Sequence, residues 1–436
     1  MDARTPVIPA NVPKVHHPRR HAAVRTDDYV FSQLIPYIGN KRKLLHLIGQ
    51  ALDFTGVPSE GTFVDLFTGS TVVARWAKRR GLRVIANDWE PYSHQIATGT
   101  VTLNAPPAFA GVAAILAAGG GHTAVGPCNE RVSAVFGHLN ALPPVRGYVS
   151  THLCPADDDD FDVTRERMFF TQANGRRIDA IAEEIDAWMR GGAIDASERA
   201  YLMSALIYAV SYASNTSGVF KGFHNGWGGK TGTALYRIRG RLTLAPPVLH
   251  DNRRQNIALR EDAQKIAVEM PAICGGVPDV VYIDPPYNQH PYGSNYHVLN
   301  TIALWDKPEL SPSIVVDGKA MDKSAIRKDW RTERRSPYTF ARQATTAFEN
   351  LVAAIDARWL LVSYSTDGNI PARQMLETLS RRGRVTLFTE RYKRYRVSTP
   401  RMSAKSHNTE FVAAVEVGAK SNADEVNAMA ERLSLT

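Results

Sequence analysis

The chain has 436 residues, a formal net charge of +9 and an isoelectric point near 9.4, enough length for one large domain with a lobe or for two domains, and a positive excess that favours a polyanionic partner without requiring one. No apolar run approaches the ~20 residues a membrane span needs, and residues 1–29, rich in Pro, Arg and His, lack the apolar stretch of a secretory signal and read as a flexible basic arm. Cys128, Cys154 and Cys274 are odd in number and without metal-ligand spacing, which points to a reducing cytoplasm and to no structural zinc.

The first segment with chemical character is Tyr37-Ile38-Gly39-Asn40-Lys41-Arg42-Lys43-Leu44-Leu45. Gly-Asn makes a turn, Lys41 and Lys43 present charge, and an apolar helix follows; taken alone, the segment reads first as a solvated basic helix start. From Thr62 to Asp88 the pattern is strand, helix, strand. Thr62–Phe67 is a β-type run, Gly69-Ser70-Thr71 a turn able to start a helix, and Val72, Val73, Trp76 and Ala77 recur at helical spacing up to Gly81. Arg83–Ala86 restarts a strand that ends at Asn87-Asp88. A glycine at a strand-to-helix turn lets a ligand approach the backbone, and an acid at the next strand end can take both hydroxyls of a ribose. The spacing is not the phosphate fingerprint G-x-G-x-x-G, and Asp65 would be unhelpful beside a pyrophosphate. It suits a nucleoside cofactor with a positive amine, such as S-adenosylmethionine.

Residues 105–250 differ in kind: an Ala/Gly-rich stretch, an acidic run at Asp157–Asp160, and two helices expected to be amphipathic. Ile178, Ile181, Ile185 and Trp188 mark the face of one; Leu202, Ala205, Leu206, Ala209, Val210 and Ala213 mark the other. Gly228-Gly229-Lys230-Thr231 resembles the end of a P-loop, but His224 stands where that motif needs glycine and no strand precedes it. The loop, with Lys221, Trp227 and Lys230, and the following Tyr236-Arg237-Ile238-Arg239 read as the basic side of a mostly helical inserted lobe.

Beyond the insert, Val280–Ile283 is a short buried strand that runs into Asp284-Pro285-Pro286-Tyr287. The prolines end the ladder and stiffen the turn, leaving a carboxylate, a free carbonyl and a flat ring in one place. A planar base with an exocyclic amine fits those groups; by itself the tetrapeptide fits a strand-ending turn as well. Arg327-Lys328-Asp329-Trp330-Arg331 and Arg391-Tyr392-Lys393-Arg394 interleave cations with aromatic rings, as phosphate contact with base stacking requires. Trp359–Ser365, Val385–Phe388 and Phe411–Val417 complete the strand candidates. One twisted, mainly parallel sheet with ligand sites at its strand ends is expected.

Together these segments resemble the D12 class of adenine-specific DNA methyltransferases, the Dam-like, α-ordered N6-adenine enzymes, over about residues 31–417. Tyr37–Leu45 is similar to that family's N-terminal cofactor motif, Asp65–Ser70 to its methionine-side motif, Asp88 to its ribose ligand and Asp284–Tyr287 to its catalytic DPPY. The first glycine motif departs from the family's more usual G-x-G. The resemblance implies an α/β, Rossmann-like S-adenosylmethionine-dependent methyltransferase fold with an inserted, mostly helical target-recognition lobe. The divisions it implies are an arm at 1–29, a catalytic domain at 30–104 and 251–420, the insert at 105–250 and a tail at 421–436. It further implies Asp284, Pro285, Pro286 and Tyr287 as catalytic, and Tyr37, Lys41, Asp65, Phe67, Gly69, Asp88 and Asp262 as holding the cofactor. Lys221, Lys230, Arg237, Arg239, Asn295, Tyr296, Arg327, Lys328, Arg331, Arg391, Lys393 and Arg394 are the candidate DNA contacts. No metal is expected. The partners implied are double-stranded DNA in a cytoplasmic, nucleoid-associated setting, with a cognate restriction endonuclease and no membrane. Cytosine N4 or a structured-RNA amine fits the same turn, and a non-catalytic DNA-binding module is the reading of another class.

Overall fold

The computed structural model describes residues 28–118, 128–311, 313–320, 323–393 and 407–434. Seven strands form one sheet: β1 (Thr62–Asp65), β2 (Arg83–Asn87), β3 (Ile257–Leu259), β4 (Val280–Ile283), β7 (Trp359–Ser365), β8 (Gly383–Lys393) and β9 (His407–Val417). A separate two-stranded hairpin holds β5 (Val315–Val316) and β6 (Lys319–Ala320). The large sheet runs in the order β3-β2-β1-β4-β7-β9-β8, parallel except for β9, which is antiparallel to both neighbours.

Side-chain alternation explains why the sheet is covered on both sides. Phe63, Val84, Val280, Tyr282, Leu361 and Val412 point to one face and pack with the helices Leu45–Phe54 and Val72–Arg79. Val64, Ile85, Val281, Ile283, Val362 and Ala413 point to the other, against the helices Ala263–Cys274, Ala341–Ala354, Ala372–Ser380 and Ala423–Ser434. All strand ends that follow β1, β2 and β4 therefore open at one edge of the sheet.

A third core belongs to the helices. The helix Gln172–Arg190 starts at Thr171, whose hydroxyl accepts the Asn174 N–H, and ends at Gly191. The helix Ala196–Ala213 starts in a capping box between Asp195 and Glu198. This second helix departs from the one-faced expectation: Ala200–Ile207 are buried without interruption, because other helices surround it. The same core takes in Tyr92 and Ile96, ahead of residue 105, and Tyr296–Trp305, which follow the D-P-P-Y turn. The helical part is thus keyed to the sheet on both sides of the site.

Three further differences from the sequence reading have simple causes. The first strand stops at Asp65, since Leu66 and Phe67 already turn into the loop that ends in Gly69 (φ +50°) and Thr71 (φ +69°). The edge strand β3 carries only three residues, too short for a periodic signal, and joins β2. β8 and β9 extend to eleven residues each, beyond their apolar cores. Among the described residues, no helix is long and apolar enough to cross a membrane.

Candidate active site

Three adjacent strands deliver acids to the same edge: Asp65 ends β1, Asp88 follows β2 and Asp284 follows β4. A cleft of about 850 Å³, counting its open mouth, lies over them. Of the residues expected at a cofactor, Tyr37, Phe67, Asp88 and Asp262 line it, as do all four residues of the D-P-P-Y turn. Asp65, Gly69 and Lys41 are not among its lining residues.

Asp88 organises the floor. Its carboxylate accepts the Gly69 N–H at 2.6 Å and the Glu90 N–H at 2.9 Å, so the two strand-end turns are tied together. Burial pushes its pKa up, and those N–H groups pull against the rise. Asp65 is 1% exposed, and neither carboxylate oxygen has a hydrogen-bond partner. Burial first, then the charges of Asp284 and Asp88, push its pKa up to about 7 against the opposing pull of the Thr68 hydroxyl. A carboxylate kept in that state is a ready acceptor for a cationic group. Asp262 caps the helix Ala263–Cys274 by accepting the Gln264 N–H at 2.9 Å. Phe67 meets Tyr338 edge-on at 5.5 Å, giving the cleft an aromatic wall.

The N-terminal motif is held by tyrosines. Tyr37 stacks on Tyr296 at 5.1 Å, the Tyr296 hydroxyl accepts the Ile38 N–H at 2.8 Å, and the Tyr292 hydroxyl donates to the Ile38 carbonyl at 3.0 Å. Gly69 is required here: a Cβ would lie 2.8 Å from the Tyr37 ring. Gly39, at φ +77°, would bring a Cβ within 3.2 Å of Tyr287. Lys41 then reaches inward, with its Nζ 2.9 Å from Asp284 Oδ1 and 5.1 Å from the Tyr287 ring centre. Burial works against the Lys41 charge, but Asp284, with Tyr287 and Glu410, more than offsets it and holds the ammonium above the ordinary lysine range. Burial raises Asp284 while Lys41 lowers it, and the short contact marks an ion pair. Lys41 therefore sits on the acceptor of the D-P-P-Y turn rather than on the cleft lining.

The candidate DNA residues divide. Lys221, Lys230, Lys328, Arg331 and Arg391 are exposed. Arg239 is exposed and paired with Asp159 at 2.7 Å, and Arg237 lies over the Tyr212 ring. Three others are buried. Asn295 and Tyr296 are 2% and 0% exposed, inside the helical core and the tyrosine clamp. Arg327 is held by Asp306 through two contacts of 2.7 Å and by Asp329 at 2.8 Å, so its charge is spent inside the protein. The Lys393 side chain and Arg394 lie outside the described residues.

The sequence reading missed Glu90, Tyr292, Arg334 and Tyr338, all of which line the cleft. Glu90 accepts the Asn300 amide at 2.6 Å and faces Arg334 at 3.7 Å; burial pushes its pKa up to about 7 against the pull of Arg334. Glu90 stood two residues from Asp88 and Tyr292 five from Tyr287, and proximity to those motifs was the available signal. Arg334 reads only as part of the basic run that follows Trp330, and Tyr338 carries no signal.

The seven-stranded sheet with helices on both faces and acids at successive strand ends is a methyltransferase fold. More narrowly, the family model for the D12 class of N6 adenine-specific DNA methyltransferases matches residues 37–352, and the chain belongs to that family: it is an adenine-specific DNA methyltransferase. Relatives include the type II methyltransferase M.NlaIII of Neisseria lactamica, 27% identical over 378 residues that cover 86% of this chain and 96% of the relative. The modification methylase StsI of Streptococcus sanguinis is 29% identical over 346 residues, 79% of this chain and 46% of StsI. The type II methyltransferase M.FokI of Planomicrobium okeanokoites is 27% identical over 369 residues, 85% of this chain and 50% of the relative. The chain spans nearly all of the first and about half the length of the other two.

Proposed function

We propose that the chain methylates the N6 amine of an adenine flipped out of duplex DNA, with S-adenosylmethionine as donor, and that it is the modification partner of a restriction endonuclease. The observation that carries this reading is the partly buried Asp284 carboxylate on a proline-stiffened turn, opening onto a cleft whose other acids suit a cationic nucleoside. The restriction role rests on the similarity to M.NlaIII and StsI.

S-adenosylmethionine fits the residues present. Its amino group would meet the unpartnered Asp65 carboxylate, its ribose hydroxyls Asp88, and its adenine the apolar wall of Phe67 with Asp262 nearby; Tyr37 would close the site over Gly69. When bound, it supplies a methyl group already activated on a sulfonium. The chain's part is acceptance and placement. The adenine N6 lone pair is delocalised into the ring, so the amine attacks well only if its hydrogens are held as the nitrogen pyramidalises. Asp284 and the Pro285 carbonyl accept those two N–H bonds and stabilise the charge that develops. Pro286 fixes the turn, and Tyr287 stacks on the flipped base. Lys41, on Oδ1 of Asp284, places a positive charge beside the amine that this carboxylate is to receive.

The exposed Lys221, Lys230, Lys328, Arg331 and Arg391, with Arg237 and Arg239, are proposed to meet the DNA backbone. The helical part, roughly 105–250, is proposed to carry target recognition.

Asp88→Ala should weaken binding of S-adenosylmethionine by about 30-fold or more, through loss of the ribose acceptor and of the tie between the turns. Titration calorimetry checks this, and unchanged affinity would remove Asp88 from the cofactor site. The whole reading is tested by mapping modified bases in DNA from a methylation-free host that expresses the chain. N6-methyladenine at one short recurring sequence is expected; a genome without it overturns the proposal.

A further inference from the structure

Glu410, on β9, is a buried carboxylate that the proposed mechanism leaves unused. β9 runs against β7 with Glu410 opposite Ser365, and β7 outruns β4, whose last residue Ile283 is opposite Val362. Glu410 therefore stands at the sheet edge beside the turn that starts at Asp284. It is 8% exposed, and its Oε2 has no hydrogen-bond partner. Its other oxygen accepts the Asn408 amide at 3.4 Å, an amide that also donates to Ser365 at 2.9 Å, and the Ser365 side chain pulls the Glu410 pKa down against burial. A buried carboxylate oxygen without a donor is costly and calls for an occupant. Lys41 and Asp284 are the charged groups that face it most strongly, with Asp367 contributing further.

Lys41 has its own unresolved position. Its side chain is 3% exposed and holds Oδ1 of Asp284 at 2.9 Å, on the carboxylate that is to receive the target amine. Displaced into water it would have to pass out of a closed site. Left where it is, it would oppose the positive charge that grows on N6 during transfer.

We infer that Glu410 is the acceptor to which the Lys41 ammonium moves when the target amine takes Asp284, which makes Glu410 a positioning residue for methyl transfer. The inference rests on the adenine-amine reading above. The exchange keeps the Lys41 charge paired in both states: with Asp284 while no base is bound, and with Glu410 once N6 is on Asp284.

The test is a double-mutant cycle of Glu410→Gln and Lys41→Met on the full chain. It is read as the single-turnover methylation rate on a duplex bearing the site that the wild-type enzyme modifies. Glu410→Gln should slow that rate about tenfold or more in the wild-type background and leave the Lys41→Met enzyme unchanged, since the displaced cation is then absent. The thermal midpoint of the DNA-free protein should show a much smaller coupling, because Lys41 is then held at 2.9 Å by Asp284 and Glu410 adds only a weaker attraction. An equal loss of rate in both backgrounds, or coupling in stability alone, overturns the inference. If either variant fails to fold or to turn over, the wild-type complex with the same duplex and sinefungin decides by its structure. Lys41 Nζ within hydrogen-bond reach of Glu410 supports the inference, and Nζ in solvent or still on Asp284 overturns it. Absence of wild-type methylation of any DNA would instead strike the underlying reading.

Discussion

Replacing Asp284 with alanine is expected to lower the methyl-transfer rate by about a thousandfold or more while leaving S-adenosylmethionine affinity within about threefold of wild type. The carboxylate is the one acceptor that both ends β4 and opens into the cleft beside Tyr287, and the cofactor contacts assigned to Asp65, Asp88 and Asp262 do not pass through it. The substitution also strips Lys41 of its 2.9 Å partner, and a buried charge left unpaired is costly, so a lower melting temperature is expected as well. Asp284→Asn separates the two effects. It keeps the shape of the turn but offers one acceptor oxygen in place of two, and should be nearly as inactive with less loss of stability. Single-turnover kinetics with calorimetry of cofactor binding read both quantities. Near-wild-type turnover in either variant would remove Asp284 from the reaction.

Asp65→Asn is expected to act in opposite directions on stability and on binding. In the folded protein the Asp65 pKa is pushed from 3.8 up to about 7, chiefly by burial. An acid raised in this way binds its proton more tightly when folded than when unfolded. Its contribution to stability is thus complete below the unfolded value and is lost as pH climbs through about 7. Glu90, raised by burial to about 7, loses stability in the same direction. The cofactor-free protein should melt lower at pH 8 than at pH 5.5, and Asp65→Asn should remove part of that fall. The variant is expected to melt about 2–5 °C above wild type at pH 8, with about half that difference at pH 5.5. At pH 8 it should bind S-adenosylmethionine at least tenfold more weakly, because a neutral amide replaces the partner of the cationic amine. Melting curves at the two pH values and calorimetry at pH 8 check this. A variant that melts lower than wild type at pH 8 and binds normally would show that Asp65 is a structural acid.

What the sequence made legible was local. Val280–Tyr287 announces its strand, its turn and its chemistry within eight residues, and Thr62–Asp88 does the same for two strands and the helix between them. Both signals are carried by backbone preference and by alternation, which neighbouring residues encode. The parts that escaped depend on partners distant in the chain. Arg327 looked like a surface cation until Asp306 and Asp329 closed around it. Tyr296 was expected among the DNA contacts; in the fold it is the stacking partner of Tyr37, some 260 residues away, and bonds the Ile38 N–H. Tyr338 reaches the cleft only because its segment folds back onto Phe67. Lys41, expected at the cofactor, sits on Asp284 because the tyrosine clamp aims its helix start inward. Short edge strands such as β3 gain their order from the β2 ladder rather than from their own composition.

The most direct test of the central claim is transfer of labelled methyl from S-adenosylmethionine to unmethylated bacteriophage DNA by the purified chain, with nucleoside analysis of the product. Label recovered in N6-methyladenine, and lost in Asp284→Asn, is the predicted result. Label in N4-methylcytosine, in RNA but not DNA, or in neither nucleic acid would contradict it.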